Sequence, residues 1–329
     1  MRRLLSFLGL VLILIAAGVT PVAANPPGPA NAAGAPGRVL GIVRVLERAK
    51  PARPTRSSNL TYHNGPVMLT GSRTYTIFWA GANTPDWGPD GKYISTIQGY
   101  FANVAADSGK ASNVYATDTQ YYDSSTTHIA YASTVGATTT DTTPYPANGC
   151  TDRATRICLS DAQLQAELMS VMAAKGWSAS SGGVQNLFFL FTPKGVGSCV
   201  GSSCAYTNYC AYHSWIGSGS SAVLYANQPY AAQNYHIYTC DSGQHPNGST
   251  ADATLNVVSH EHNEAITDPD VSTGWYDSSG NENGDKCNFN FGPASGPPGG
   301  MFNQAINGHD YYLQMEWSNQ GSHCVQTGL

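Results

Sequence analysis

The sequence predicts an α+β fold: a single domain, stapled by disulfides, with a central mixed β-sheet flanked by helices. β-rich runs and segments of helical periodicity are interspersed without the regular alternation of a parallel α/β protein, which is the nearest alternative. About 270 residues follow position 57, enough for one large domain with a substantial core. The eight cysteines form an even set, most simply explained by four disulfides, and close neighbours such as Cys150 and Cys158 are plausible partners.

Alternating and apolar runs predict the strands. Val184–Phe191, the most apolar run, is bounded by Gly182-Gly183 and Pro193, and we expect it at the centre of the sheet with both faces covered. The other predicted strands are Pro66–Thr70, Arg73–Trp79, Val114–Tyr122, His128–Val135 and Ala222–Ala226, with a Thr-rich loop after Val135.

Three segments have the residue spacing of helices. Each places apolar residues three and four positions apart, and each begins or ends at a capping or helix-breaking residue. The predicted helices are Tyr93–Ala106, a helix capped by Ser160-Asp161 that ends near Gly176, and a helix from Ser249 or Thr250 to Asp268, which precedes Pro269.

Residues 1–24 have the pattern of a secretory signal peptide. Arg2 and Arg3 precede the apolar stretch Leu4–Ala17, and Val22-Ala23-Ala24 is a small-residue cleavage pattern. The apolar stretch is too short for a membrane span, and no later stretch is apolar for long enough to cross a bilayer. We therefore expect a secreted, extracellular protein that has no membrane contact after signal cleavage.

Residues 25–57 differ in composition from the rest of the chain. Positions 25–37 are almost entirely Pro, Gly, Ala and Asn, and a basic stretch from Arg38 to Arg56 follows. We interpret this segment as a flexible linker or a short propeptide, and we place the globular domain at residues 58–329.

Charge is divided unevenly along the chain. Half of the 16 Lys and Arg, but only one of the 21 Asp and Glu, lie in the first 56 residues, so the remainder has a formal charge of −12. An acidic domain argues against nucleic acid as a partner, because phosphate binding needs a basic surface.

The third predicted helix carries the candidate metal ligands. His260 and Glu264 are four residues apart and should project from one face, one turn apart. The H-E-x-x-H motif presents two zinc ligands in this way; here Glu264 replaces the second histidine, and carboxylate is an acceptable ligand. Glu261 is then the candidate catalytic base acting on a metal-activated water. His262 points about 200° away from His260 and should pack elsewhere or be exposed.

A third metal ligand must come from another segment. Glu282 follows Glu264 at a separation similar to that of the downstream glutamate of gluzincin metalloproteases, and we favour it slightly over Asp285. Asp285 should be held in place by a disulfide at Cys287, and both carboxylates can contribute if one supports a histidine. His213 and His309 are further candidates for a ligand or a transition-state donor.

Three other kinds of site are considered. Asp277, Asn281 and Asp285 are oxygen donors among glycines, so Ca²⁺ is an alternative to Zn²⁺ as the bound cation. The chain has no C-x-x-C pair for a cysteine-type zinc site and no G-x-S-x-G motif for a serine hydrolase.

Several motifs, among them the strand that ends at Trp79 and the His260–Pro269 segment, recur in the same order in one protein family. Over most of positions 59–324 the chain resembles the EXORDIUM-like, phosphate-induced protein 1 family of plants and its bacterial and fungal relatives. The family's H-E-x-x-E-A-x-T-[ND]-P segment matches His260–Pro269, although His262 and Asn263 replace residues that are usually small or apolar. The resemblance implies an extracellular or cell-wall protein linked to growth responses, with no settled molecular activity. The other matching segments are Asn59–Met68, Cys210–His213, Gly284–Cys287 and Tyr311–Ser318.

These observations predict a secreted zinc-dependent hydrolase, of the metallopeptidase type, with a zincin-like active-site helix. We expect a monomer whose partner is a polypeptide substrate. The rival hypothesis is a non-catalytic extracellular protein that binds a cell-wall component such as polysaccharide, or a protein partner, through its many aromatic residues.

Overall fold

A computed structural model describes residues 41–47 and 58–328, and its main element is a seven-stranded mixed sheet. The predicted signal peptide, residues 1–24, lies outside the described residues. Six strands form the main path of the sheet: β1 (Ile42–Arg44), β2 (Ser72–Trp79), β3 (Ser133–Asp141), β4 (Val184–Phe191), β5 (Tyr209–Ile216) and β6 (Val223–Gln228).

The strand order is β1-β5-β6-β4-β2-β3, and the short strand Ser180–Ser181 pairs with β4. β6, β4, β2 and β3 are parallel to one another, whereas β5 is antiparallel to β6 and β1 is antiparallel to β5. Helices and strands are therefore combined around a mixed sheet, and the predicted α+β fold is confirmed.

The described residues contain three α-helices, all of which the sequence predicted. They are α1 (Tyr93–Ala106), α2 (Asp161–Lys175) and α3 (Ala251–Thr267), and short 3₁₀ helices lie at Val114–Gln120, Gly219–Ser221 and Asp285–Cys287. In α2 the side chain of Ser160 and that of Gln163 form a capping box, and Gly176 ends the helix in the left-handed conformation. Among the described residues, no helix has the length and apolar character that a membrane span requires.

The central strand β4 divides the core into two layers. Leu187, Phe189 and Phe191 belong to the core on the side of α1 and α3. Phe188 and Leu190 belong to the core on the side of α2. All five side chains are buried, because the strand alternates between two covered faces. The prediction of a central strand covered on both sides is confirmed.

Smaller strand pairs surround the main sheet and shape the loops. Ile157–Ser160 and Ser203–Cys204 flank Val196–Val200, and the other pairs are Leu46–Glu47 with Tyr238–Thr239, Thr61–Tyr62 with Trp275–Tyr276, Gln304–Ile306 with His309–Tyr311, and Glu316–Ser318 with His323–Val325.

All eight cysteines are paired in disulfides, as the even count predicted. The bridges are Cys150–Cys158, Cys199–Cys204, Cys210–Cys240 and Cys287–Cys324. Four disulfides indicate that the protein folds in an extracellular or otherwise oxidising environment.

Two strand predictions are wrong because burial and pairing depend on distant residues. Pro66–Thr70 is a loop: the backbone N–H of Met68 donates to the Ile266 carbonyl at the end of α3, so this segment buries apolar side chains without joining a sheet. The strand predicted at His128–Val135 instead spans Ser133–Asp141 and includes the Thr-rich segment that we expected to be a loop. Threonine is β-branched and suits a half-exposed edge strand.

The strand predicted at Val114–Tyr122 is also wrong. Residues 114–120 form a 3₁₀ helix, and the side chain of Asn113 accepts a hydrogen bond from the Tyr115 N–H at its start. Local side-chain capping therefore outweighs the β propensity of the apolar residues.

Residues 41–47 belong to the folded structure, although the sequence places them in the linker or propeptide. β1 pairs with β5 along Ile42–Arg44, and Leu46–Glu47 pairs with Tyr238–Thr239. The described strand β1 therefore lies at the edge of the main sheet, N-terminal to the predicted domain boundary at residue 58.

The core of α2 provides a test of the fold with a matched control on the same helix. Met172 is buried against the Phe188 side of the sheet, whereas Met169 is 40% exposed. We expect Met172→Ala to reduce the free energy of unfolding by about 2–5 kcal/mol, because it leaves a cavity. Met169→Ala should change it by less than about 0.5 kcal/mol. Urea unfolding checks both variants, and equal effects would contradict the packing of α2 on the sheet.

Candidate metal centre

The centre is built on α3, a helix that is buried on every side. Each residue of Ala251–Thr267 is buried, and the side chains of His260, Glu261 and Glu264 are 0% exposed. Burying ionisable groups is costly unless they are paired or bind a cation. A helix interior to the protein that carries this many of them therefore marks a candidate functional site.

His260, Glu264 and Asp285 form the first ligand cluster. One ligand atom from each lies within 4.8 Å of the others, and His260 Nε2 is 2.9 Å from Glu264 Oε1. The two α3 residues meet because they are one turn apart, as predicted. Asp285 begins a 3₁₀ helix whose Cys287 is bonded to Cys324, and its backbone N–H donates to Glu264 Oε1 at 2.8 Å.

His213, Glu264 and Glu282 form a second cluster that shares Glu264 with the first. One ligand atom from each again lies within 4.8 Å of the others, and His213 Nε2 is 3.6 Å from Glu282 Oε1. His213 projects from β5, the strand that neighbours α3. The structure thus brings all four predicted metal residues together and places Asp285, rather than Glu282, beside His260.

Glu261, the predicted base, lies next to both clusters and is held by two contacts. Its Oε2 is 3.0 Å from His213 Nδ1, and its Oε1 accepts a hydrogen bond from the Val43 N–H at 3.2 Å. His213 Nε2 lies 3.2 Å from the Asp268 carbonyl oxygen, to which a neutral ring donates through Nε2–H. His213 then presents Nδ1 as an acceptor to a protonated Glu261.

Burial and mutual repulsion keep most of these carboxyl groups protonated. Burial raises the pKa of Glu261 and Glu282 well above the usual range, and neighbouring carboxylates raise that of Glu282 further. Burial and the Glu264 charge raise the pKa of Asp285 to about 7. Burial and the proximity of other carboxylates therefore favour the protonated forms of these groups.

The exception is the pair on α3. Burial alone would lower the pKa of His260, but the adjacent Glu264 carboxylate raises it to about 10. Burial alone would raise the pKa of Glu264, but His260 lowers it below its ordinary value. Burial lowers the pKa of His213, which leaves its ring neutral and suited to act as a ligand or acceptor.

Several buried carboxylate oxygens in the two clusters have no hydrogen-bond partner within the part of the chain that the structure describes, as expected of atoms that bind a divalent cation. Glu264 Oε2 and both carboxylate oxygens of Glu282 and Asp285 are buried, and none has a hydrogen-bond partner among the described residues. Buried carboxylate oxygens without donors are rare in folded proteins. Nitrogen and oxygen ligands in a set of three match a zinc site with one open position.

The other candidates of the sequence are placed elsewhere. His262 points away from the clusters: it lies 2.7 Å from Ser72 Oγ and 3.1 Å from the Tyr115 hydroxyl, and burial lowers its pKa to about 3. It packs, which was one of the two expected outcomes. His309 is exposed on a short strand and belongs to neither cluster.

The acidic loop considered for calcium is organised by hydrogen-bond donors. Asp277 accepts bonds from the backbone of Ser279 and Asn281, and its Oδ2 lies 3.2 Å from Lys286 Nζ. Asp285 instead faces His260. The α3 clusters are therefore the better candidate site for a cation.

Sequence reasoning gave little weight to two members of the site. His213 was only a secondary candidate, and the resemblance of the Cys210–His213 segment to a family motif is the signal that could have placed it. Val43 was not considered, because a backbone N–H leaves no pattern in a sequence. Both reach Glu261 through the strand pair β1–β5.

No protein-family model, curated protein or solved structure matches this chain. The resemblance to the EXORDIUM-like family therefore stays a prediction from the sequence motifs.

A substitution at Gly284 tests how tightly the cluster of His260, Glu264 and Asp285 is packed. A Cβ at Gly284 would lie 2.9 Å from His260 Cδ2 and 3.0 Å from Glu264 Oε1, while its φ of −68° suits any residue. We expect Gly284→Ala to reduce the free energy of unfolding by about 1–3 kcal/mol through overpacking alone. Gly99→Ala is the control: a Cβ there meets nothing within 4 Å, and in α1 it should be neutral or stabilise by up to about 1 kcal/mol. Urea unfolding in the presence of a chelator distinguishes them, and a neutral Gly284→Ala would contradict the described packing.

Proposed function

We propose that the protein is a secreted zinc-dependent hydrolase of the peptidase type. His260, Glu264 and Asp285 hold the metal, Glu282 and His213 support it from the adjoining cluster, and Glu261 is the general base. The observation that carries the proposal is the burial of unpartnered carboxylate oxygens around His260, one helical turn from a candidate base.

The arrangement supports hydrolysis through the roles of the chain's own residues. A bound zinc ion would polarise a substrate carbonyl and acidify a water molecule. In its ionised form, which a bound cation would favour, Glu261 would accept the proton of that water and deliver it to the leaving nitrogen. His213 orients Glu261 through the contact at Oε2. Full burial of the cluster excludes bulk water and strengthens each of these interactions.

The rival function, binding of a cell-wall component through aromatic side chains, draws less support. Eleven of the 19 tyrosines are buried in the core, where they cannot stack on a sugar. Scattered exposed aromatic residues are common without a binding role.

Metal analysis of adjacent histidine variants tests the ligand assignment. We expect about one zinc per chain in the wild type, and at least about a 100-fold lower affinity in His260→Gln, because a ligand is lost. His262→Gln is the matched control and should keep its zinc, since His262 contacts Ser72 and Tyr115 instead. Elemental analysis and chelator competition measure both. Equal zinc content in the two variants would contradict the assignment.

Glu261→Gln separates catalysis from metal binding. The amide keeps the size of the side chain but cannot accept the proton, so kcat on an unstructured peptide should fall by about 10²–10⁴-fold while zinc is retained. A chelator should abolish the wild-type activity, and zinc should restore it. Zinc-loaded protein that cleaves no unstructured peptide would favour the binding function.

The affinity for zinc should rise with pH, because the metal displaces protons. His260, with a pKa of about 10, is protonated at neutral pH, and Asp285, with a pKa of about 7, is protonated below that pH. Each displaced proton raises the affinity by about tenfold per pH unit. We expect about 100-fold per unit below pH 6.5 and about tenfold per unit above pH 7.5, measured by competition with a chelator of known pH dependence. A flat profile would show that neither group is a ligand.

A further inference from the structure

Residues 41–47 lie against the candidate metal centre as an added strand. Val43 stands opposite Ala211 and Ile42 opposite Tyr212, the residue before His213 on β5. Ile42 is 5% exposed and Val43 is 0% exposed, so their side chains contribute to the core. The segment is thus seated along the edge of β5 at the point where the strand enters the site.

The backbone of residues 41–47 contacts His213 of the second cluster and the candidate base Glu261. The His213 N–H donates to the Gly41 carbonyl at 3.1 Å, which continues the pairing with β5. The Val43 N–H donates to Glu261 Oε1 at 3.2 Å. The Arg44 carbonyl accepts a bond from Asn288 Nδ2 at 3.1 Å. All three bonds use main-chain groups of the segment, which any extended peptide can supply.

The contact at Glu261 has the geometry of a substrate contact. A general base that protonates a leaving nitrogen must come within hydrogen-bond reach of that nitrogen, about 2.6–3.2 Å. The amide nitrogen between Ile42 and Val43 occupies this position. Exposed sheet edges commonly bind an extended peptide as a further strand, with affinity from main-chain bonds.

We propose that the edge of β5 is the substrate-binding edge for an extended polypeptide, and that residues 41–47 of the chain occupy it. The inference rests on the proposed function. It adds that the substrate binds in an extended conformation and that residues 41–47 inhibit the enzyme. The intact chain is then an inactive precursor, since a tethered segment competes at an effective concentration in the millimolar range. Cleavage on the C-terminal side of residue 47 removes the tether and lets other peptides bind.

The test uses the full chain with residues 50–56 replaced by the recognition sequence of a site-specific protease. The folded protein is loaded with zinc, cut, and washed to remove the released segment. The probe is a fluorescent peptide with the sequence of residues 41–47, Gly-Ile-Val-Arg-Val-Leu-Glu, followed by anisotropy. We expect the cut protein to bind it at least tenfold more tightly than the uncut protein. The same peptide with an N-methyl group at the Val43 nitrogen is the matched control and should bind at least tenfold more weakly.

Binding and hydrolysis are measured separately so that the two proposals can fail separately. Equal binding to cut and uncut protein, or equal binding of the N-methylated peptide, overturns the inference whatever the activity. Binding to the cut protein alone, without hydrolysis of any unstructured peptide, supports the occupied edge and contradicts the hydrolase. A rise in hydrolysis of at least tenfold on cutting supports both.

A variant of the uncut chain tests the same inference without cleavage, in case the cut protein unfolds. Val43→Pro removes the N–H that Glu261 accepts, and Arg44→Ala, at an exposed side chain of the same strand, is its control. We expect Val43→Pro to bind the labelled peptide more tightly than Arg44→Ala does, with unchanged circular dichroism in both. Identical peptide binding by the two variants would count against the inference.

Discussion

The main physical constraint on this structure is the burial of several ionisable side chains around one turn of α3. Glu261, Glu264 and Glu282 are buried together with His213 and His260, and Asp285 lies beside them. Burial favours the neutral forms of these groups, whereas His260 and Glu264 stabilise each other's charge. Such a group is stable when protons or a cation neutralise it. A cation and a proton compete for the same carboxylate and imidazole atoms, so the occupancy of the site by a cation should depend on pH.

The fold brings these groups together from segments that are far apart in the chain. His213 comes from β5, the α3 residues from the helix beneath it, and Asp285 from a 3₁₀ helix that the Cys287–Cys324 disulfide ties to the last strand pair. Cys210, on β5, is bonded to Cys240, which fixes the strand that carries His213. Disulfides therefore hold two of the three segments that form the site, and they limit how far the ligands can move apart.

The sequence predicted those features of the fold that depend on residues close together in the chain. The spacing of His260 and Glu264 predicted a shared helix face, the capping residue Ser160 predicted the start of α2, and the apolar run of β4 predicted its central place. Contacts across long separations left no such signal. The bond from Val43 to Glu261, for example, joins residues 218 positions apart. The 3₁₀ helix after Asn113 is a different case, because its side-chain cap is local and the apolar residues that follow it have the pattern of a strand.

The same reasoning explains why a glutamate stands where the H-E-x-x-H motif has its second histidine. In the proposed zinc centre, with His260 neutral, the charges of Glu264 and Asp285 would cancel the two positive charges of the ion, whereas a histidine at position 264 would leave the centre with a net positive charge. An uncompensated charge is costly here, because the side chains of His260 and Glu264 are 0% exposed. A neutral centre can be enclosed by the sheet edge and by β1, and it would give Glu261 a neutral neighbour in its proposed role as a base. The glutamate therefore suits a site that is covered by its own chain.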